Sequence, residues 1–369
     1  MTTRPKRPGW NEAAIWMGAG LPALLSLFRR HGWAIERGHR LDSIIDLGFA
    51  AANSTLGGIV ELLTANRSAR VDITSPLFIL GHWRTGTTWL HELLNCDPRL
   101  RCPTTYECFV PHHFLATRRW AQRWANFAIP RTRTVDQVDV GWNQPQEDEF
   151  ALLNLGIPSP YARIAFPQQA ERDLDWLDLD QLSAADQQRW RAACLWFYRR
   201  LLAANPGQLC LKSPPHTCRL PTLMSLFPTS RFVYLVRDPN AVVPSTIRLW
   251  STLSHVYGYQ QVDELRLRLE VPRMFTHFHE RFEATRHLIP ADRLLVLRYE
   301  ELVADPLSQL QKLYDSLSLG DFSQVREIVT RLLRRRASYR GNQHALDEQL
   351  REAITECSPG YRACHGYST

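Results

Sequence analysis

The sequence predicts an α/β protein: a P-loop-like parallel sheet flanked by helices, with an N-terminal helical extension. Three observations carry this. Short unbroken apolar runs at Leu77–Leu80, Leu209–Leu211, Phe232–Val236 and Leu294–Leu297 read as buried strands. Helical segments lie between them, for example Trp89–Leu94 and Asp186–Ala204, and strands alternating with helices imply a mainly parallel sheet. The first strand runs into a loop bounded by Gly81 and Gly86, and that loop opens a helix.

Taken in order, the chain begins with basic residues (Arg4, Lys6, Arg7) and turns apolar from Ala13 to Phe28. This resembles a secretory leader. However, Gly18, Gly20 and Pro22 interrupt the run, Arg29 and Arg30 follow it, and a small-residue cleavage site is missing. Two readings remain. One is a helix packed on the main domain, which is the commoner case. The other is a helix lying in a membrane interface, giving peripheral membrane contact through the N-terminal helices. A second helix is expected around Leu41–Leu63, with apolar residues spaced for one face. Residues 1–70 are thus expected to form a helical extension, and residues 71–369 the sheet domain.

Composition narrows the functional classes. Of 369 residues, 44% are hydrophobic and 22% charged, as in a globular protein rather than a disordered one. The net charge of +7 suits anionic ligands. The arginine excess is spread along the chain, so nucleic acid is not the expected partner. The eight cysteines form no CxxC pair, and no metal site emerges from their spacing. They read as reduced thiols of a cytoplasmic protein.

The loop Gly81-His82-Trp83-Arg84-Thr85-Gly86-Thr87-Thr88 carries the sharpest chemistry. Two glycines permit a tight turn whose N–H groups face inward, and the helix N-terminus adds donors and a positive dipole end. The spacing matches the nucleotide-binding P-loop, but Thr87 stands where that motif has lysine, and the cation is Arg84. A kinase or ATPase would use the missing lysine on its terminal phosphates. Lys212 and Arg237 close two later strands. In a parallel sheet the strand ends bind ligands, so three sets of anion-binding groups fall on one edge.

These residues resemble the sulfotransferase family, in its bacterial and tyrosylprotein-like branch. Arg84-Thr85-Gly86-Thr87-Thr88 is similar to the family's 5′-phosphosulfate loop. Arg237 through Ser245 is similar to its 3′-phosphate motif. Leu211-Lys212-Ser213-Pro214 and Arg298-Tyr299-Glu300-Glu301-Leu302 add further likeness, which runs from about Pro76 to Leu317. The resemblance implies 3′-phosphoadenosine-5′-phosphosulfate as donor, with no metal, and a hydroxyl acceptor on a small molecule, lipid or glycan. Arg84, Thr85, Gly86, Thr87 and Thr88 would hold its 5′ end, and Arg237 and Ser245 its 3′-phosphate. Arg340-Gly341 is a weak version of the family's C-terminal phosphate-binding segment. Lys212 would meet the charge that grows on the bridging oxygen.

An alcohol also needs a general base. Cytosolic members of the family place a histidine two residues after the equivalent lysine. This chain has Pro214 there, and the nearest histidine is His216. Other branches use a glutamate beyond the loop helix, a place that Glu107 fills, so Glu107 is preferred to His216. The acidic run Glu147-Asp148-Glu149 is expected to open a helix. Alternative functions are a non-catalytic nucleotide-binding protein of sulfotransferase descent and a P-loop nucleotide kinase.

Overall fold

The computed structural model describes residues 15–118, 141–336 and 346–368. Arg4, Lys6, Arg7 and Arg340-Gly341 lie outside them. The chain forms two compact units. The first gathers Met1–Ile73, Pro103–Pro206 and Leu249–Asp263; the second gathers Thr74–Cys102, Gly207–Arg248 and Glu264–Thr369. These units are drawn differently from the expected division at residue 70. The described residues of 103–206 and of 249–263 fall in the same unit as the N-terminal helices.

The first unit is helical among its described residues. Helix α1 (Leu21–Arg30) starts with Pro22 in its first turn, where the missing N–H costs nothing, and buries Leu24, Leu27 and Phe28. Phe28 meets the ring of Tyr259 edge-on at 5.3 Å. This helix packs into its unit as a core element. Helix α2 (Arg40–Ala69) is longer than its predicted span, at 30 residues. Its apolar face is turned outward, with Ile59 52%, Leu62 88% and Leu63 76% exposed. Periodicity predicts a face but not which side the protein takes.

The second unit holds a five-stranded parallel sheet in the order β2-β3-β1-β4-β5. Its strands are β1 (Leu77–Leu80), β2 (Leu100–Arg101), β3 (Gln208–Lys212), β4 (Arg231–Val236) and β5 (Leu294–Arg298). All four residues of β1 are fully buried, which is why that strand reads as a continuous apolar run. Leu77 pairs with Cys210 on one side and Arg231 on the other. Helix α3 (Thr87–Leu94) follows β1 and packs Leu90, Leu93 and Leu94 into the core with Ile79, Val233 and Leu297. The four predicted strands, and the helices predicted at Trp89–Leu94 and Asp186–Ala204, form within two residues of their expected ends. The fifth strand, β2, has two residues and is too short to show a pattern.

Candidate active site

Because every strand is parallel, the C-terminal ends share one edge. β1 lies at the centre, and the chain adds β3 on one side and β4 on the other, the arrangement that opens a crevice at the strand ends. The loop after β1 sits at that switch point. Gly81 has φ +145° and Gly86 φ +97°. A Cβ at Gly81 would lie 2.8 Å from the Leu235 carbonyl oxygen, and one at Gly86 2.2 Å from the Tyr299 ring, so neither position takes a side chain. Between them Arg84 adopts φ +68°, a conformation that costs a non-glycine residue energy and is held by its surroundings. Thr85 is buried and donates its hydroxyl to the His82 carbonyl at 2.7 Å, which closes the turn. The helix begins at Thr87, so the N–H groups of its first turn have no partner within the helix.

The predicted cations converge on this loop. Arg84 Nε donates to Ser245 Oγ at 2.9 Å, which joins the loop to the helix Pro239–Tyr257. Arg237 Nη1 donates to the Arg84 carbonyl at 3.0 Å, and its guanidinium lies 4.1 Å over the Tyr299 ring. Lys212, the last residue of β3, is 2% exposed and places Nζ 3.4 Å from Thr88 Oγ1. Arg84, Thr85, Gly86, Thr87, Thr88, Lys212, Arg237 and Ser245 therefore form one cluster at the sheet edge. His82 adds no charge to it: burial pulls its pKa down to about 4, against a smaller upward pull from the Trp83 carbonyl.

The supporting residues were less visible in the sequence. Thr217 is fully buried and accepts the Gly81 N–H at 2.8 Å, pinning the start of the loop. Tyr299 carries both the Arg237 stack and the close approach to Gly86; only its place in the Arg298–Leu302 run marked it. Tyr361 accepts the Arg237 N–H at 2.9 Å and donates to the Arg237 carbonyl at 3.0 Å. Arg362 Nη2 reaches Asn240 at 3.1 Å. The C-terminal segment thus braces the turn after β4, and no sequence signal announced it. Arg340, the residue expected for such a role, lies outside the described residues.

Glu107 belongs to the first unit, and the cluster to the second. It is fully buried. Its Oε2 accepts the Thr104 N–H at 2.9 Å, while Thr104 Oγ1 accepts the Glu107 N–H at 3.4 Å, a reciprocal cap on the helix Thr105–Phe109. Arg118 Nη1 stands 3.3 Å from its Oε1. His216 is also fully buried, its ring edge-on to Phe78 of β1 at 5.5 Å. Glu149 does begin a helix, Glu149–Asn154, with Asp148 before it. Ser159 donates to Glu149 at 2.7 Å, Tyr198 to Asp148 at 2.6 Å, and Tyr161 to Glu147.

Residues 76–323, more than half of the chain and the whole of this cluster, match the sulfotransferase family. The chain belongs to the sulfotransferase family. It is 35% identical over 350 residues to the omega-hydroxy-beta-dihydromenaquinone-9 sulfotransferase Stf3 of Mycobacterium bovis, covering 94% of this chain and 90% of that one. Its fold is similar to that of sulfotransferase STF9 from Mycobacterium avium, with a TM-score of 0.71 at 18% identity over 95% of this chain and 97% of that one. It is also similar to STF1 from Mycobacterium tuberculosis, with a TM-score of 0.65 at 19% identity over 91% of both. This sulfotransferase is an enzyme of group transfer, and the sequence reading of an α/β sulfotransferase stands.

Proposed function

We propose that this sulfotransferase takes its sulfo group from 3′-phosphoadenosine-5′-phosphosulfate and passes it to a hydroxyl of a lipid acceptor. The carrying observation is the pairing of two anion subsites on one sheet edge. The first is the loop with its helix N-terminus and Lys212; the second is Arg237 with Ser245. A donor charged at both its 5′ and 3′ ends needs both. In transfer, the acceptor oxygen attacks sulfur and the bond from sulfur to the bridging oxygen breaks. The electron pair stays on the departing phosphate, where Lys212 and the N–H groups of α3 stabilise it. The acceptor proton passes to a base, for which Glu107 is the candidate and His216 the alternative. The acceptor class is taken from the named substrate of the Mycobacterium bovis relative, a hydroxylated quinone lipid. Eight free cysteines support a cytoplasmic setting.

The test is ligand-induced stabilisation. Adenosine 3′,5′-bisphosphate, added with a chelator in place of magnesium, is expected to raise the Tm, by about 3 kcal/mol of stability at a hundred times its Kd. A shift from ATP with magnesium, and none from the bisphosphate, would overturn the donor assignment.

A further inference from the structure

Helix α2 is amphipathic in the reverse sense to a helix at a protein–water boundary, where apolar residues turn inward and polar ones outward. Its polar side chains face the rest of its own unit. Buried Asp46 accepts from Trp16 Nε1 at 3.3 Å and from the Tyr259 hydroxyl at 2.5 Å. Asn53 donates to the carbonyls of Met17 and Ala19 at 2.8 and 3.2 Å. Ser54 accepts the Leu21 N–H at 2.8 Å, and Glu61 pairs with Arg200. The opposite side presents Leu41, Ile44, Ile45, Leu56, Ile59, Leu62 and Leu63, each 40–88% exposed. At 1.5 Å per residue this stripe runs about 33 Å from Leu41 to Leu63. The stripe is two apolar clusters on one face, Leu41–Ile45 and Leu56–Leu63, joined across the small residues Gly48, Ala52 and Thr55; single exposed apolar residues are ordinary, but clusters of this kind mark a surface meant to be covered.

The ends of the stripe say what covers it. Arg37 and Arg40 are exposed at its start and Arg70 at its end. Asp42 is tied to His39 at 3.1 Å, Asp46 is buried and Glu61 is paired; exposed Asp72 follows Arg70, so the outward charge is basic at the start of the helix and balanced at its end. Trp33, half exposed and packed edge-on against Phe28 at 5.4 Å, lies on the connection that leads from α1 into α2. An apolar stripe with a basic start and a flanking tryptophan has the chemistry of a helix lying in an anionic membrane interface. A second copy laid parallel on the stripe would set its arginines against these. Spanning is opposed by the hydrogen bonds that hold Asp46, Asn53 and Ser54 to the protein. We infer that α2 docks this enzyme on an anionic phospholipid bilayer, lying in the plane of the interface with Leu41–Leu63 among the acyl chains. The lipid acceptor of the proposed reaction would explain the purpose of such docking, but the docking itself does not depend on that reading.

Sedimentation with vesicles tests it without any measure of turnover. The full chain is expected to sediment with phosphatidylcholine vesicles containing phosphatidylglycerol, and more weakly with phosphatidylcholine alone. Ile59→Glu with Leu62→Glu should lower partitioning at least tenfold, given the apolar surface each side chain buries. Arg37→Glu with Arg40→Glu should remove the preference for phosphatidylglycerol. The substituted side chains are exposed, so an unchanged Tm confirms that both variants fold. Wild-type protein that stays in the supernatant with both vesicles, or a glutamate pair that binds as well as wild type, overturns the inference. So does a wild-type dimer in light scattering that the same pair dissociates, which would assign the stripe to a second copy.

Discussion

Lys212 holds an ammonium group at 2% exposure, at a strand end, 3.4 Å from the hydroxyl of Thr88. Withdrawing a charge from water costs free energy, and a site tolerates that cost where an opposite charge arrives. The charge on the departing oxygen grows toward the transition state, so Lys212 should affect rate more than affinity. Lys212→Ala is expected to lower kcat by roughly a hundredfold or more while the Kd for adenosine 3′,5′-bisphosphate stays near wild type. Arg237 and Ser245 should behave in the opposite way. Arg237→Ala removes both a charged donor and the stack on Tyr299, so donor affinity should fall by roughly ten- to a hundredfold. Steady-state kinetics beside bisphosphate titration separates the two patterns. A Lys212→Ala enzyme with normal kcat and a raised donor constant would assign that lysine to binding.

At the scale of elements, strand–loop–helix from Leu77 to Leu94 was legible because its signals are local: four buried residues, two glycines at strained φ, and hydroxyls opening a helix. The reciprocal cap between Thr104 and Glu107 came from the structure, and it gives Glu107 a structural duty whatever else it does. Glu107→Gln keeps an acceptor oxygen for the Thr104 N–H, so the helix Thr105–Phe109 should persist and the Tm change little. If Glu107 is the base, turnover should drop by roughly two to four orders of magnitude with donor affinity retained. His216→Asn is the companion measurement; activity lost there and kept in Glu107→Gln would move the role to His216. Other elements could not be read. The brace from Tyr361 to Arg237 joins residues 124 apart in sequence and has no periodic trace. The direction of the α2 stripe depends on whether Asp46 and Asn53 find partners inside, and only the folded chain decides that.

At the scale of the molecule, three histidines wholly or partly withdrawn from water contribute to the acid response. Burial pulls His82, His113 and His365 each to about 4, with smaller downward pushes on His113 from His112 and on His365 from His279. Between pH 6.5 and 4 the unfolded chain binds protons that the native state refuses. Stability is therefore full above pH 6.5 and declines as the pH falls through about 4. For fully buried His82 the gap from 6.5 to about 4 amounts to on the order of 3 kcal/mol. Urea midpoints measured across that range should fall steadily, and His82→Asn should flatten the fall; an unchanged slope would place the effect in other groups. The sheet order has a consequence for synthesis. β1 ends at Leu80, but its partners β3 and β4 close only at Lys212 and Val236. A ribosome adding about 5–20 residues per second reaches Val236 on the order of ten to thirty seconds after Leu80. Until Lys212 is made Leu77-Phe78-Ile79-Leu80 has neither neighbour, and until Val236 it has only one, so an apolar tetrapeptide with open strand edges stays unpaired in the nascent chain while the second half emerges.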